Sequence, residues 1–338
     1  MDLTTTDGMQ RYLSHTSSES VASVEKLAGG TANYMYRLHL QDTATTKIIK
    51  HAEPHVASNP GFPFAVDRMD FEKGVLSKLP NLLPKSEIVK LPKVYEYDPE
   101  NHVLLMEDGG ARNLKNAYKD AGVDVKTIGK ETGKWLACLH QKTVDVEIGD
   151  HQTAKHIYGF CYSNLASTAS QYNLDSSLGE RIDGEYGKLL QSDDECVCHG
   201  DFWPGNIIVG AAPEQLMVVD WEMVRRGCGA TDVGQFAAES YLLDRFRGQR
   251  GLLASFLAGY GEEREGLSKA WFKRVAVHVG AHLAFWPSRV PWGDEMQTRE
   301  VIQLGNEIMR RADGEDWEWF MREGNLLRVL VGEGLSEG

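Results

Sequence analysis

Two neighbouring stretches, VCHGDFWPGNIIV at residues 197–209 and LMVVDWE at residues 216–222, decide how this chain is read. Asp201 and Asn206 lie five residues apart on a loop that runs into the apolar strand Ile207–Val209. Ala211-Ala212-Pro213-Glu214-Gln215 has the composition of a turn. Leu216–Val219 then returns antiparallel and delivers Asp220 beside Asn206. One hairpin therefore gathers an Asp, an Asn and a second Asp. Amide and carboxylate oxygens are hard ligands suited to Mg²⁺, which prefers one or two carboxylates plus substrate phosphates. That assigns Asn206 and Asp220 to metal and leaves Asp201 to orient or deprotonate an attacking hydroxyl, the layout of phosphoryl transfer. Asp-x-x-x-x-Asn alone is a weak signal, because both residues also serve as turn formers and Asp220 as a helix cap. His-Gly-Asp, the spacing, the apolar hairpin and Asp-Trp-Glu together favour catalysis.

Outward from this hairpin, the chain changes character once. Before residue 107 it reads mostly as strand: Val24–Leu27, Tyr34–Leu40, Thr45–Lys50, and the pair Val94–Tyr97 and His102–Met106 turned by Asp98-Pro99-Glu100-Asn101. A short helix capped by Asp7 precedes these strands, Pro54–Pro63 reads as a loop, and Asp67–Leu79 carries a helical period. After Glu107-Asp108-Gly109-Gly110 the chain is mainly helical, with Ile128–His140 strongly amphipathic and breaks near Pro287 and Pro291. The expected fold class is α+β and bilobal: a β-rich lobe over 1–106, a junction at 107–112 and a mainly helical lobe over 113–338.

Composition narrows the function classes. The 338 residues carry 36 Lys+Arg against 49 Asp+Glu, a formal charge of −13. That balance argues against nucleic-acid and anionic-membrane partners, which need basic clusters. No stretch is apolar enough to span a bilayer, and MDLTTTDGMQRYL lacks the features of a signal peptide. Five sparse cysteines suit reduced thiols and a cytoplasmic setting. Cys196 and Cys198, as strand neighbours, are expected to face apart and to hold no metal.

HGDFWPGNIIV with VVDWE resembles the aminoglycoside phosphotransferase/choline kinase superfamily, which has a protein-kinase-like fold. The pattern is most similar to its methylthioribose kinase and fungal 4-hydroxytryptamine kinase branch. LAGGTANYMYRL (27–38), IIKHAEPH (48–55), VDRMDFEKGVLSKL (66–79), LLMEDGG (104–110), GKWLACLH (133–140) and GATDVGQFAAESYLLDRF (229–246) carry the likeness over residues 21–312. The resemblance implies a small-molecule kinase that moves the γ-phosphate of Mg-ATP to a hydroxyl. It implies that Gly29, Gly30, Thr31 and Asn33 approach the phosphates, and that Lys50 pairs with Glu72. It also makes Met106, Glu107 and Asp108 the adenine-binding hinge. Strand alternation puts Lys47 on the opposite face from Lys50. His140 and His199 are expected to be structural, and Asp232 to cap the next helix and brace the catalytic loop.

The acceptor would be a small metabolite: a hydroxylated amine, a sugar or a thio-sugar. Its pocket is expected near Asp201, from Trp203, Glu222, Tyr241, His282, Trp286, Trp292 and Asp294. His282, Trp286 and Trp292 follow the pattern of the hydroxytryptamine kinase branch. Aromatic walls suit a flat or cationic amine. Arg225-Arg226 reads either as an anion contact or as an exposed basic turn. The alternatives are a non-catalytic nucleotide-binding protein and a protein kinase. Only nine residues separate Asp-Trp-Glu from Asp232, too few for a long activation loop, and no Ala-Pro-Glu segment occurs. Nothing in the sequence demands an obligate protein partner.

Overall fold

Period-two alternation builds the strand-rich half. The computed structural model describes residues 1–17, 19–28, 31–41, 43–210 and 215–331. Helix α1 (Thr6–Thr16) starts from Thr5, whose hydroxyl accepts the Gly8 N–H; Asp7 lies in the first turn and is not the cap. Strands β1 (Val21–Lys26), β2 (Tyr34–Leu40) and β3 (Thr46–His51) run antiparallel. The segment that reads as a loop carries a small ribbon, β4 (His55–Val56) and β5 (Asn59–Pro63). Its alternation is too short and proline-rich to signal strands, and Ala57 and Ser58 donate backbone N–H groups to Ala32 and Thr31. Helix α2 (Arg68–Lys78) and strands β6 (Val89–Lys90), β7 (Val94–Asp98) and β8 (Val103–Glu107) follow.

The main sheet has the order β1-β2-β3-β8-β7. Tyr36, Leu38, Ile49 and Val103 point to one face and pack on Met9, Tyr12 and Leu13 of α1. Ile48, Leu104 and Met106 point to the other and pack on Met69 of α2. Lys50 shares the face of Ile48. Lys47 is on the face of Ile49, where it meets Glu19.

The second half is helical with a set of short strands. Helices α3 (Leu114–Ala117), α4 (Val125–Lys142), α5 (Gln152–Ser163), α6 (Leu165–Gln171), α7 (Ser176–Ile182) and α8 (Lys188–Ser192) lead to strands β9 (Cys196–Cys198), β10 (Ile207–Val209), β11 (Leu216–Val218) and β12 (Arg225–Gly227). Helices α9 (Ala230–Arg247), α10 (Leu252–Glu263), α11 (Lys269–Phe285), α12 (Glu295–Asp313), α13 (Trp317–Met321) and α14 (Arg328–Val331) complete it. This is the expected α+β, bilobal arrangement. β10 and β11 pair antiparallel in the predicted register sense, and β6 adds to β11 in parallel. Residues 211–214 of the predicted turn lie outside the described residues. No helix among the described residues is long and apolar enough to cross a membrane.

Cys196 and Cys198 do not face apart. Residues two apart on a strand share a face, and both thiols sit within 4.8 Å of each other and of a His140 ring nitrogen. The two nitrogens of His140 are already engaged, by the Tyr260 hydroxyl at 2.9 Å and Asp232 at 3.4 Å.

α4 and α10 cross at glycines. A β-carbon on Gly133 would lie 2.2 Å from the Phe256 carbonyl oxygen, and one on Gly259 2.1 Å from that of Lys130. Overpacking of this kind costs about 1–3 kcal/mol. Gly133→Ala is therefore expected to lower stability by that amount in urea unfolding; an unchanged midpoint would contradict the close crossing.

Candidate active site

The strand face that carries Lys50 meets the β10–β11 hairpin across a cleft. Lys50 is 2% exposed. Its ammonium lies 2.7 Å from Glu72 of α2, 2.5 Å from Asp220 and 3.6 Å from Glu222. Burial alone would depress its pKa, but the carboxylates of Asp220, Glu222 and Glu72 outweigh it and hold the lysine charged. Burial also pushes Asp220 up, yet Lys50 outweighs it and keeps that carboxyl below its usual range. Glu222 is raised by burial, against the pull of Lys50. Arg68 joins the cluster at 3.3 Å from Glu222 and donates two bonds to the Asn33 amide oxygen, while Asn33 donates to Glu222 at 2.5 Å. Two cations thus face Glu72, Asp201, Asp220 and Glu222, a formal excess of two negative charges.

Asp220 reaches this cluster by an unusual backbone. Its φ of 69° is left-handed, a region that Asp tolerates better than most residues. The loop before it is braced from below. Asp232 accepts the His199 N–H at 2.7 Å and the Gly200 N–H at 3.0 Å. It is in the first turn of α9 but forms no side-chain cap there, because its oxygens are spent on the loop. His199 holds the same loop, with Nε2 3.0 Å from the Val219 carbonyl and Nδ1 accepting the Asp201 N–H at 3.2 Å. Burial pushes its pKa down, which suits the neutral ring these bonds require.

Asp201 lies at the top of the loop. Asn206 donates its amide to the Asp201 carboxylate at 3.0 Å and to its carbonyl at 2.9 Å. The Asn206 amide oxygen accepts no hydrogen bond among the described residues, so it is the atom left for a cation. Burial, then the nearby Asp220 charge, push the Asp201 pKa up to about 7.

These groups open into a cavity of about 650 Å³. Thr31, Asn33, Lys50, Glu72, Met106 and Asp108 line it from the strand-rich half, and Asp201, Trp203, Asn206, Asp220, Glu222, His282 and Trp286 from the other. Other expected residues are not brought there. Gly29 and Gly30 lie outside the described residues. Glu107 is absent from the cavity wall, and its backbone N–H goes to the Lys93 carbonyl. Asp108 is on the cavity wall, but its carboxylate is taken by Arg37 and Thr46. Tyr241 is turned to Arg245, which donates to its hydroxyl at 2.9 Å. Trp292 stacks under Lys115 at 4.5 Å, and Lys115 also sits 4.9 Å from the Trp203 ring. Asp294 caps α12. Helical spacing put these side chains near the site in sequence but cannot say which way the helix after Pro287 turns. Arg225 is neither an exposed basic turn nor an anion contact: it is buried over the Tyr158 ring at 3.7 Å, and Arg226 pairs with Asp194.

Several residues of the site escaped the sequence reading, among them Arg68, which is buried beside Glu222 and off the cavity wall. Arg68 stands one helical turn before Glu72, and Gln235 one turn after Asp232; those spacings were visible signals. Phe62, Phe64, Ile157, Tyr158 and His278 come from the ribbon, α5 and α11, and no local pattern marked them.

A nucleotide-sized cleft between a five-stranded sheet and a helical half, with Lys–Glu and Asp–Asn–Asp groups on its two sides, defines a phosphotransferase-type fold. The chain belongs to the phosphotransferase enzyme family, whose model matches residues 23–270. It is 26% identical to the 4-hydroxytryptamine kinase of Psilocybe cyanescens, over 98% of each chain. It is 24% identical to a methylthioribose kinase of Bacillus mycoides, over 71% of this chain and 66% of that one. The fold is similar to the choline kinase of Streptococcus pneumoniae (TM-score 0.54, 17% identity, 90% of this chain and 98% of the other). It is also similar to a spectinomycin phosphotransferase solved with ADP and spectinomycin (TM-score 0.52, 13% identity, covering 90% and 98%).

Gly200 has φ +85°, and a β-carbon there would lie 1.9 Å from the Met223 carbonyl oxygen. Gly200→Ala should displace the loop that carries Asp201. Its expected signature is a loss of phosphate transfer larger than its loss of thermal stability; wild-type turnover in that variant would show that the loop tolerates the shift.

Proposed function

We propose that the protein transfers the γ-phosphate of ATP to a hydroxyl of a small metabolite. The observation that carries this reading is the contact of one buried lysine with Glu72 on one side of the cleft and Asp220 on the other. In the proposed arrangement Lys50, oriented by Glu72, meets the α- and β-phosphates. Thr31 and Asn33 approach the phosphates, and the backbone of Met106 and Asp108, at a hinge over 107–112 between lobes 1–106 and 113–338, meets adenine. Asn206 and Asp220 would hold Mg²⁺. Hard oxygen donors and the excess of two negative charges fit that ion. Bound there, it would neutralise the charge of the transferring phosphate.

Asp201 acts as the base in this reading. The acceptor oxygen bonds to the γ-phosphorus, the bond to the β,γ-bridging oxygen breaks, ADP leaves, and the acceptor proton passes to Asp201. The protein's share is positioning and charge neutralisation.

For the acceptor we favour a hydroxylated aromatic amine over a sugar or thio-sugar. Ile157, Trp203, Trp286 and Phe62 give the cavity apolar, flat walls, whereas a sugar needs a ring of polar partners. The name and near-complete coverage of the Psilocybe relative support the same class. A cytoplasmic setting fits the free cysteines. An ATP-consumption screen over hydroxylated tryptamines, phenethylamines, methylthioribose and aminoglycosides tests the choice. Turnover confined to sugars would overturn it.

Two further outcomes are expected. Asp201→Asn should lower turnover by about 10²–10⁴-fold while leaving nucleotide affinity, read by calorimetry, near that of the parent. Transfer should also fall as pH drops through about 7 or below, because the protonated Asp201 accepts no proton and its pKa in the free protein is about 7. A cation at Asp220 offsets the like charge and moves that limb lower. A rate independent of pH between 5 and 8 would remove Asp201 as the base.

A further inference from the structure

Gln235 has no part in the reaction as described, yet it touches the group at its centre. The Asp201 carboxylate has two oxygens, and an amide holds each: Asn206 donates to Oδ2 at 3.0 Å and Gln235 donates from Nε2 to Oδ1 at 2.6 Å. The two amides are not equivalent. Asn206 is assigned to the cation and must hold its own oxygen toward it. Gln235 comes from α9, the helix whose first turn carries Asp232, so the element that braces the loop backbone also grips the loop's carboxylate.

The Gln235 amide is itself held the right way round. Its oxygen faces the Tyr158 hydroxyl at 3.4 Å, and that hydroxyl also lies 3.1 Å from the Thr231 carbonyl and 3.0 Å from His278 Nε2. His278 Nδ1 lies 2.9 Å from the Tyr162 hydroxyl. Burial pushes the His278 pKa well below its ordinary value, so the ring is neutral and carries one N–H. The Thr231 carbonyl and the Gln235 amide oxygen only accept, so in one consistent arrangement the Tyr158 proton is shared between them. His278 Nε2 must then donate to Tyr158, and Nδ1 must accept from Tyr162. In that arrangement the hydrogens of Tyr162, His278 and Tyr158 all run toward Gln235.

We propose that Gln235 is a positioning residue that fixes the direction of the Asp201 carboxylate, and that the buried Tyr162–His278–Tyr158 relay fixes Gln235. The inference rests on the reading of Asp201 as the base. A flipped Gln235 would put its oxygen 2.6 Å from the ionised carboxylate, which repels it, and would take away the amide acceptor that faces Tyr158.

The test is kcat and KM in Gln235→Leu, Tyr158→Phe and Asp201→Asn, with thermal midpoints measured beside them. Gln235→Leu is expected to lower kcat by about 10–100-fold, part of what a positioned base supplies, with KM for ATP and the thermal midpoint unchanged. Tyr158→Phe keeps the ring over Arg225 and should lower kcat in the same way by less. An inactive Asp201→Asn with parental kcat in Gln235→Leu overturns this inference alone. An active Asp201→Asn overturns the base assignment with it. A lowered midpoint with kcat and ATP affinity lost together makes Gln235 merely structural and also overturns it. If Gln235→Leu does not fold, kcat in Tyr158→Phe decides the matter, lowered at unchanged KM in support or parental against.

Discussion

A lysine ammonium that is 2% exposed must find its counter-charges inside the protein, and the chain supplies them from two places distant in sequence. Lys50 is on β3, Glu72 on α2, and Asp220 stands 170 residues along, after β11. A buried pair is weak evidence of net stability, since desolvation offsets attraction, but deleting one partner strands a charge at a cost of about 3–5 kcal/mol. The pair therefore acts as a register mark. It fixes which face of β3 looks into the cleft, how far α2 slides along the sheet, and how closely the hairpin approaches. The alternation that buries Ile49 against α1 and turns Ile48 to the other side follows from the same constraint.

The other half of the cleft is held by backbone hydrogen bonds rather than charge pairing. Asp232 is fully buried and binds two consecutive N–H groups of the loop, at His199 and Gly200. Two such donors favour the ionised carboxylate strongly, and His140 adds a third partner. Asp232 thus holds the loop without drawing on Asp201, whose carboxylate faces the cavity. Gly200 belongs to the same logic: the backbone passes so close to the Met223 carbonyl that no side chain fits.

Much of this was legible in the sequence, for particular reasons. The β10–β11 hairpin could be read because Asp201, Asn206 and Asp220 sit on adjacent short segments, where spacing alone fixes neighbourhood. Lys50 against Lys47 could be read because alternation has a period of two. The same rule was misapplied to Cys196 and Cys198, which share a face. Contacts between helices far apart in sequence were not legible. Tyr241 and Trp292 resemble pocket residues in composition, but the rotation of α9 and the turn after Pro287 point them to Arg245 and Lys115. Tyr158 and His278, 120 residues apart, gave no local sign of meeting.

The formal charge of −13 takes on meaning once it is located. Across the surface, negative charge repels a nucleotide and slows its arrival. Around the cleft, three of the four carboxylates, Asp201, Asp220 and Glu222, come from the side opposite the sheet, while Lys50, Arg68 and Glu72 stand on the sheet side. A metal–nucleotide complex presents charge in the same sense, with phosphates that match the lysine and a cation that matches the carboxylates. The bare nucleotide would satisfy Lys50 but set its phosphates against three carboxylates. Where burial limits screening, like charges at close range are costly. In the proposed arrangement, discrimination between the free and the metal-bound donor would need no dedicated residue: it would follow from which side of the cleft each charge is attached to.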